Sequence, residues 1–464
     1  MESRHPVLKC DEENGKSQGI DVSLPTSIKK NVQTLQTSLR AKAKAEPDYR
    51  FYSLWDKVCR SDILLKAYHR CRANRGAPGY DRVSFEQIDD QGSIGWLVGL
   101  QQELKTGQYR PGPLLRVWIP KANGGQRPLS IPTINDRVVQ MAVLLVIGPI
   151  FEEDLLPNQF GFRTGVDAKM AVRAAYFGVA QRGKVEVVDA DLSDYFNTIP
   201  HGALMRCVSR RIADGTLLQV MRAWLKVAVI ERHDKREIRT TAAKNNSRGT
   251  PQGGIVSPLL SNLYFRRFLL AWHQFGFSER FNAEVVNYAD DLVILCPKER
   301  GELAMQAMRQ LMGKLGLMVN EKKTQLVKLP EAQFDFLGYT IGRFYGKNGK
   351  PYWGTTPSRK AIKRLKLTIH DATSKRWSAM TPESRVEEIN SKLRGWAGYF
   401  NQGPVCGIYR AIQNYTERRL RIWLMRKHGK NGTGYRQYSD EYLYQHLGLH
   451  RLPISHIAML NAKA

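Results

Sequence analysis

Apolar residues recur at helical intervals along 54–68, at Leu54, Val58, Ile63, Leu64 and Tyr68, and predict a helix that stops before the Gly76-Ala77-Pro78-Gly79 cluster. Upstream, residues 1–50 are polar and poor in aromatics, which predicts a flexible N-terminal arm with one helix over 32–44. Between 51 and 345 short β-like runs alternate with helical ones. Strands are expected at 116–120, 185–192, 285–295 and 334–341, and helices at 135–147, 167–181 and 303–315. This is an α/β or α+β pattern built on one main sheet. A hairpin is expected at Asn348-Gly349, after which the period changes. Three helices follow over 358–428, carried by Ile362/Leu365/Ile369, by Val386/Ile389/Leu393/Trp396, and by Ile408/Ile412/Tyr415 continuing to Leu420 and Trp423. The chain so divides into an arm (1–50), a mixed segment (51–345), a helical segment (355–450) and a short tail (451–464). No internal repeat is visible.

Composition narrows the partners. The 464 residues are 42% hydrophobic and 25% charged, ordinary for a globular chain, but 71 Lys and Arg against 43 Asp and Glu leave a net charge of +28. That excess points to a polyanion. Nucleic acid is favoured over an anionic membrane, because no basic amphipathic anchor or lipidation signal accompanies the charge. The longest apolar run, 141–147, is far short of the roughly 20 residues needed to cross a bilayer, so no membrane span is expected. Asp11, Glu12 and Glu13 fit neither a secretory signal nor a transit peptide. The six scattered cysteines form no C-x-x-C pair, which argues against a disulfide scaffold or zinc finger. The expectation is a reduced, cytoplasmic protein. Residues 355–464 carry 20 Lys and Arg against 7 Asp and Glu, nearly half the net charge. Trp377, Trp396, Tyr399, Tyr415, Trp423, Tyr435 and Tyr438 lie among them, and stacking together with phosphate binding is the basis of single-strand and RNA recognition.

Carboxylates supply the chemistry. Tyr288-Ala289-Asp290-Asp291 interrupts two apolar runs, 283–286 and 292–296, with adjacent acids. Like charges about 4 Å apart repel by about 4 kcal/mol at an effective dielectric of 20, and a bound divalent cation offsets that. Hard Mg²⁺ prefers carboxylate oxygens. A second strand, 185–192, carries Asp191 near its end. Two neighbouring strands delivering Asp191 and Asp290/Asp291 to one edge would hold two metal ions for in-line phosphoryl transfer. Strand alternation puts Asp189 on the face of Asp191 but one repeat back, in a supporting role.

These residues, with Gly249-Thr250-Pro251-Gln252-Gly253-Gly254-Ile255-Val256-Ser257-Pro258-Leu259-Leu260, resemble the palm of a reverse transcriptase, and the ordered set from about 75 to 455 resembles the group II intron-encoded reverse transcriptase/maturases, of the type lacking an endonuclease domain. The resemblance implies a right-hand polymerase: fingers and palm, an antiparallel sheet plus helices, over 51–345, then an α-helical thumb/maturase domain X over 355–450. It makes Asp191, Asp290 and Asp291 the catalytic and metal-binding carboxylates for two Mg²⁺ ions, with Asp191 and Asp290 the stronger direct ligands. Phe196 matches the steric gate against a 2′-hydroxyl. Gln252 matches the segment along the incoming nucleotide and template, and Lys121 and Arg127 match the fingers cations that meet its triphosphate. Lys323, in Asn320-Glu321-Lys322-Lys323-Thr324, matches a later palm motif and a general acid toward pyrophosphate. Phe336-Leu337-Gly338-Tyr339 resembles the primer grip, and Gly161-Phe162-Arg163 another family segment, read as structural.

At the C-terminal end, Leu393-Arg394-Gly395-Trp396-Ala397-Gly398-Tyr399-Phe400 and the run from Trp423 to Gly429 resemble the thumb and domain X. The implied RNA-binding residues are Arg359, Lys360, Lys363, Arg364, Arg394, Trp396, Arg418, Arg419, Arg426 and Lys427. The implied activity is RNA-directed DNA synthesis from dNTPs, with intron RNA bound as a ribonucleoprotein, splicing assisted, and retrohoming into a DNA target that also provides the primer. Two readings compete with it: a reverse transcriptase recruited to phage defence or a CRISPR system, and an RNA-binding splicing factor with an idle polymerase. Three intact carboxylates beside an anionic ligand weigh against the second.

Overall fold

A computed structural model of the protein describes residues 25–120, 125–233, 236–240, 246–346 and 348–453. Five helices come first: α1 (Thr26–Ala45), α2 (Trp55–Val58), α3 (Ser61–Ala73), α4 (Phe85–Asp90) and α5 (Ser93–Lys105). Strands β1 (Leu114–Pro120) and β2 (Gln126–Ile131) lead into α6 (Ile134–Glu152) and α7 (Ala168–Ala180). Next come β3 (Glu186–Asp191), α8 (Tyr195–Thr198), α9 (His201–Ser209), α10 (Gly215–Leu225), β4 (Val229–His233), β5 (Arg236–Thr240), α11 (Ser257–Gln274) and α12 (Phe277–Arg280). The hairpin β6 (Glu284–Tyr288) and β7 (Asp291–Cys296) precedes α13 (Gly301–Lys314), β8 (Gln325–Lys328), β9 (Phe334–Phe336), β10 (Tyr339–Tyr345) and β11 (Pro351–Pro357). The chain ends in α14 (Arg359–Ala372), α15 (Pro382–Tyr399) and α16 (Cys406–Lys427).

Two compact units interleave along the sequence. The first contains the described residues up to Thr164 together with Leu192–Phe275 and Arg309–Val319. Its axis is α6, capped by Thr133, whose Oγ1 accepts from Asp136 N at 3.1 Å, and running on through Pro149. Length and composition would let α6 cross a membrane, but 78% of its apolar window is buried, as in the core helix of a folded domain. Against it lies α1, with Val32, Leu39 and Ala43 buried and Gln36 Nε2 donating to the Leu145 carbonyl at 2.8 Å. The flexible arm expected for 1–50 is therefore corrected over 26–45: three apolar residues at helical spacing dock the segment, and a mostly polar composition hid them. Residues 1–24, like the tail from 454, lie outside the described residues. A four-stranded sheet of order β2-β1-β4-β5 completes the unit, antiparallel except for the parallel β1–β4 pair.

The second unit contains Gly165–Asp191, Gly276–Met308 and the chain from Asn320. Its sheet, β6-β7-β3-β8, is antiparallel and backed by α7, packed so closely that a Cβ at Gly178 would lie 2.5 Å from Leu295 Cδ1. A three-stranded sheet, β11-β10-β9, stands apart from it. The single main sheet expected from the alternation is thus three sheets among the described residues. Leu337 (φ 49) and Gly338 (φ 81) break the 334–341 run into a hairpin, and this turns it away from the central strands. The Asn348-Gly349 turn joins β10 to β11, with Gly346 N donating to the Lys350 carbonyl at 2.9 Å. The three C-terminal helices share one core in which Leu365, Ile369, Val386, Ile389, Leu393, Tyr409, Ile412, Leu420 and Trp423 are buried. Each large aliphatic among them contributes about 1.5–3 kcal/mol.

Candidate active site

The carboxylates meet at one edge of the β6-β7-β3-β8 sheet. Tyr288 pairs with Asp291 across a two-residue turn, Ala289-Asp290, in which Ala289 is left-handed at φ 58. That conformation costs a non-glycine residue roughly 1–2 kcal/mol. Buried Asn287 holds it, its Nδ2 donating to the carbonyls of Ala289 at 2.8 Å and Asp291 at 3.3 Å. The β3–β7 register sets Asp191 directly opposite Asp291 and Asp189 opposite Val293, so all three acids share a face. Asp290 sits at the hairpin tip, exposed.

A turn at Asn320-Thr324 wraps Asp191. Lys323 Nζ donates to Asp191 Oδ2 at 2.8 Å and Asn320 Nδ2 to Oδ1 at 3.3 Å, while Asn320 N donates to the Asp191 carbonyl at 2.8 Å. Desolvation first, then the charges of Asp290, Asp191 and Asp189, push the Asp291 carboxyl up to about 7; Lys323 opposes them. The residue is nonetheless exposed overall, so its like-charged neighbours are what a cation would relieve. Burial raises Asp189 to about 6 against the hydrogen bond from Gln325 Nε2 at 3.3 Å, with Asp191 and Asp335 adding to the rise. Among the described residues no three acidic, histidine or cysteine side chains form a closed metal cage. The facing oxygen donors of Asp191 and Asp291 still fit a hard cation, because Mg²⁺ in polymerase-type sites is held by one or two carboxylates and completed by substrate phosphates.

From this edge a groove of about 830 Å³ runs past Lys322 and Asp335 to Arg359 and Lys360 at the start of α14. The Phe336-Leu337-Gly338-Tyr339 turn flanks it. Buried Tyr339 donates its hydroxyl to the Tyr399 carbonyl at 2.5 Å, and Tyr399 donates back to the Leu337 carbonyl at 2.8 Å. Gly338 also accepts from Ser358 N, the cap of α14, at 2.8 Å.

The first unit holds the nucleotide candidates. Phe196 is half-buried, and its carbonyl accepts from Thr250 N at 2.7 Å. Gln252 is held at its carbonyl by Ser130 N at 2.6 Å, and a Cβ on the following Gly253 (φ 116) would fall 2.3 Å from the Ser130 carbonyl, which only glycine tolerates. The Gln252 amide lies between opposite charges: Arg127 Nε donates to Oε1 at 3.2 Å, and Nε2 donates to Asp194 Oδ1 at 3.4 Å. Asn197 Nδ2 fixes that carboxylate at 2.8 and 3.0 Å. Gln252, Ser130, Asp194, Asn197 and Thr250 border a cavity of about 660 Å³ that also includes Arg116, Trp118 and Arg248. Lys121 lies outside the described residues. Sequence reasoning passed over Asp194 as a neighbouring acid and gave Phe162 no site role; the left-handed φ of each, 51 and 57, leaves no mark in an apolar pattern.

The candidate RNA-binding residues divide by environment. Arg359, Lys360, Lys363, Arg364, Arg394, Arg418 and Arg426 are exposed. Arg419 instead ties α16 to the end of α14 through Thr373 Oγ1 at 3.1 Å and the Thr373 carbonyl at 3.2 Å, and Lys427 donates to the Ser378 carbonyl at 2.9 Å. Trp396 packs on Phe400 and Tyr409 in the helical core. Trp423 is buried there as well, whereas Tyr435 is exposed, so the aromatic interleaving is partly a core feature.

Residues 119–341 match the reverse transcriptase (RNA-dependent DNA polymerase) family, and residues 362–442 match the group II intron, maturase-specific domain. Protein YkfC of Escherichia coli is 29% identical over 71% of this chain and 93% of its own length. The group II intron-encoded protein LtrA of Lactococcus lactis is 31% identical over 47% of this chain, and the COX1/OXI3 intron 1 protein of Saccharomyces cerevisiae 25% over 60%. The chain spans only 34% and 38% of those two relatives. With a reverse transcriptase domain followed by a maturase-specific domain, in the order the acidic edge and basic helices had indicated, the chain belongs to the group II intron-encoded reverse transcriptase/maturases.

Proposed function

We propose that this RNA-directed DNA polymerase extends a primer with dNTPs at the Asp191–Asp291 edge, using two Mg²⁺ ions, and that its exposed helical cations hold the host intron RNA as a ribonucleoprotein. The carrying observation is the β3–β7 register, which puts two carboxylates face to face with a third on the same face. When bound, the ions would supply Lewis acidity toward the primer hydroxyl and the leaving pyrophosphate. Asp191, Asp290 and Asp291 would hold them, Asp291 facing Asp191 across the paired strands and Asp290 at the adjoining turn. Lys323 carries its proton at Nζ against Asp191, placed to meet negative charge developing on pyrophosphate. Arg127 and Lys121 neutralise the triphosphate, Gln252 presents an amide whose two ends are fixed, and Phe196 crowds the 2′-hydroxyl.

The RNA grip is supported by α14. Its first turn has no acid and bears Arg359 and Lys360, cations at the positive end of a helix dipole, where they oppose stability rather than add to it. A phosphate partner accounts for that placement. Splicing assistance and retrohoming into a DNA target that also primes synthesis, by a cytoplasmic ribonucleoprotein, complete the proposal. It is tested with the host intron RNA at low Mg²⁺. Wild-type protein and Asp191→Ala should both promote splicing, while only the wild type makes cDNA. Equal loss of both activities in the variant would contradict the division of labour.

A further inference from the structure

Phe162 is 52% exposed and left-handed at φ 57, a backbone that bulky residues rarely adopt. Its neighbours are locked. Buried Asn262 donates Nδ2 to the Gly161 carbonyl at 2.6 Å. Arg163 pairs with Glu152 at 2.7 Å and donates to the carbonyls of Leu156 at 2.9 Å and Gln159 at 2.7 Å. Fully buried Gln159 closes the network with a bond to the Asn262 carbonyl at 3.0 Å. Strain of this kind persists where the surroundings over-determine it, and it concentrates at functional sites. Here the locked turn throws an aromatic ring outward, where about half of the residue stays exposed.

The ring stands against Phe196, with centroids 6.5 Å apart and planes at 73°, an edge-to-face arrangement. The Phe196 backbone is itself pinned through Thr250 N, and the adjacent Tyr195 is anchored by its hydroxyl on the Ser261 carbonyl at 2.6 Å. The freedom left to Phe196 is rotation of its side chain. We propose that Phe162 is a specificity-determining residue: it forms the outer wall that keeps the Phe196 ring in the position crowding a 2′-hydroxyl, and so sharpens selection of deoxynucleotides over ribonucleotides. The inference rests on the reading of Phe196 as the sugar gate.

Single-nucleotide incorporation on an RNA template, with dNTP and rNTP compared for each variant, tests both layers. Phe196→Ala should lower dNTP-over-rNTP discrimination at least tenfold, and Phe162→Ala three- to tenfold. The double variant should do no worse than Phe196→Ala, and Phe162→Tyr, which keeps the wall, should stay within twofold of wild type. Phe162→Gly relieves the backbone strain, so it provides a folded ring-deleted protein even if the alanine variant is unstable, and the same loss is expected from it. Unchanged discrimination in Phe162→Gly alongside its loss in Phe196→Ala would overturn the proposal, as would losses that multiply in the double variant. Unchanged discrimination in Phe196→Ala would instead overturn the gate reading beneath it.

Discussion

At Asp291, crowding by protein and by three other carboxylates holds a proton on the acid up to about pH 7. An unfolded Asp titrates near 4. Because the folded pKa is raised, the metal-free fold binds more protons than the unfolded chain between those limits and loses stability as pH rises through them. A divalent cation needs the ionised pair, so the increase in melting temperature caused by Mg²⁺ should be larger at pH 8 than at pH 6, and Asp291→Asn should remove most of that difference. A cation effect independent of pH would contradict the facing-pair geometry. At Gln252, the flanking Arg127 and Asp194 orient the amide. Asp194→Ala should therefore raise KM for the incoming dNTP severalfold, an effect read in steady-state incorporation, since a freed amide presents either end to the nucleotide.

At the scale of elements, the β6–β7 hairpin depends on Asn287, and its replacement by Ala should cost about 1–2 kcal/mol through the loss of two hydrogen bonds, read by chemical denaturation. Helix α14 behaves in the opposite way. Replacing Arg359 and Lys360 with Gln should leave its stability unchanged or slightly higher while reducing the salt dependence of RNA binding by about 0.7–0.9 in log–log slope for each phosphate that is no longer neutralised. A constant slope would mean that these cations are merely solvated. Apolar periodicity placed α7 and the three C-terminal helices close to their observed spans because burial on one face dictates that pattern, whereas α6, β3 and the β6–β7 pair were legible as apolar runs because they are buried nearly all round. The docking of α1 depends on packing against α6, distant in sequence, and the turn that splits the 334–341 run depends on left-handed Leu337, and neither leaves a mark in the apolar pattern. The same limit applies within the site. Asp191 and Asp291 could be assigned to one edge from their strands, but nothing in the local pattern records that Arg419 and Lys427 are also hydrogen-bonded within the protein or that Trp396 packs against the helical core.

For the whole molecule, the charge of +28 is unevenly shared. Acids converge on the sheet edge of β3 and β7, while exposed cations of α14, α15 and α16 extend the basic surface beyond residue 355. A polymerase that must also grip a large RNA has reason to keep most of its cations off the metal site, where Lys323 already pairs with Asp191 and where Arg359 and Lys360 line the adjoining groove, since further cations there would compete for the carboxylates. RNA affinity and DNA synthesis should then respond to different substitutions. Primer extension on an RNA template in Mg²⁺, run alongside intron RNA binding, measures this most directly for Asp191→Asn and Asp291→Asn. The expected result is a loss of DNA synthesis of at least a hundredfold in both variants, with RNA affinity within twofold of wild type. Retained synthesis in either variant, or a matching fall in RNA affinity, would contradict the assignment of the catalytic edge.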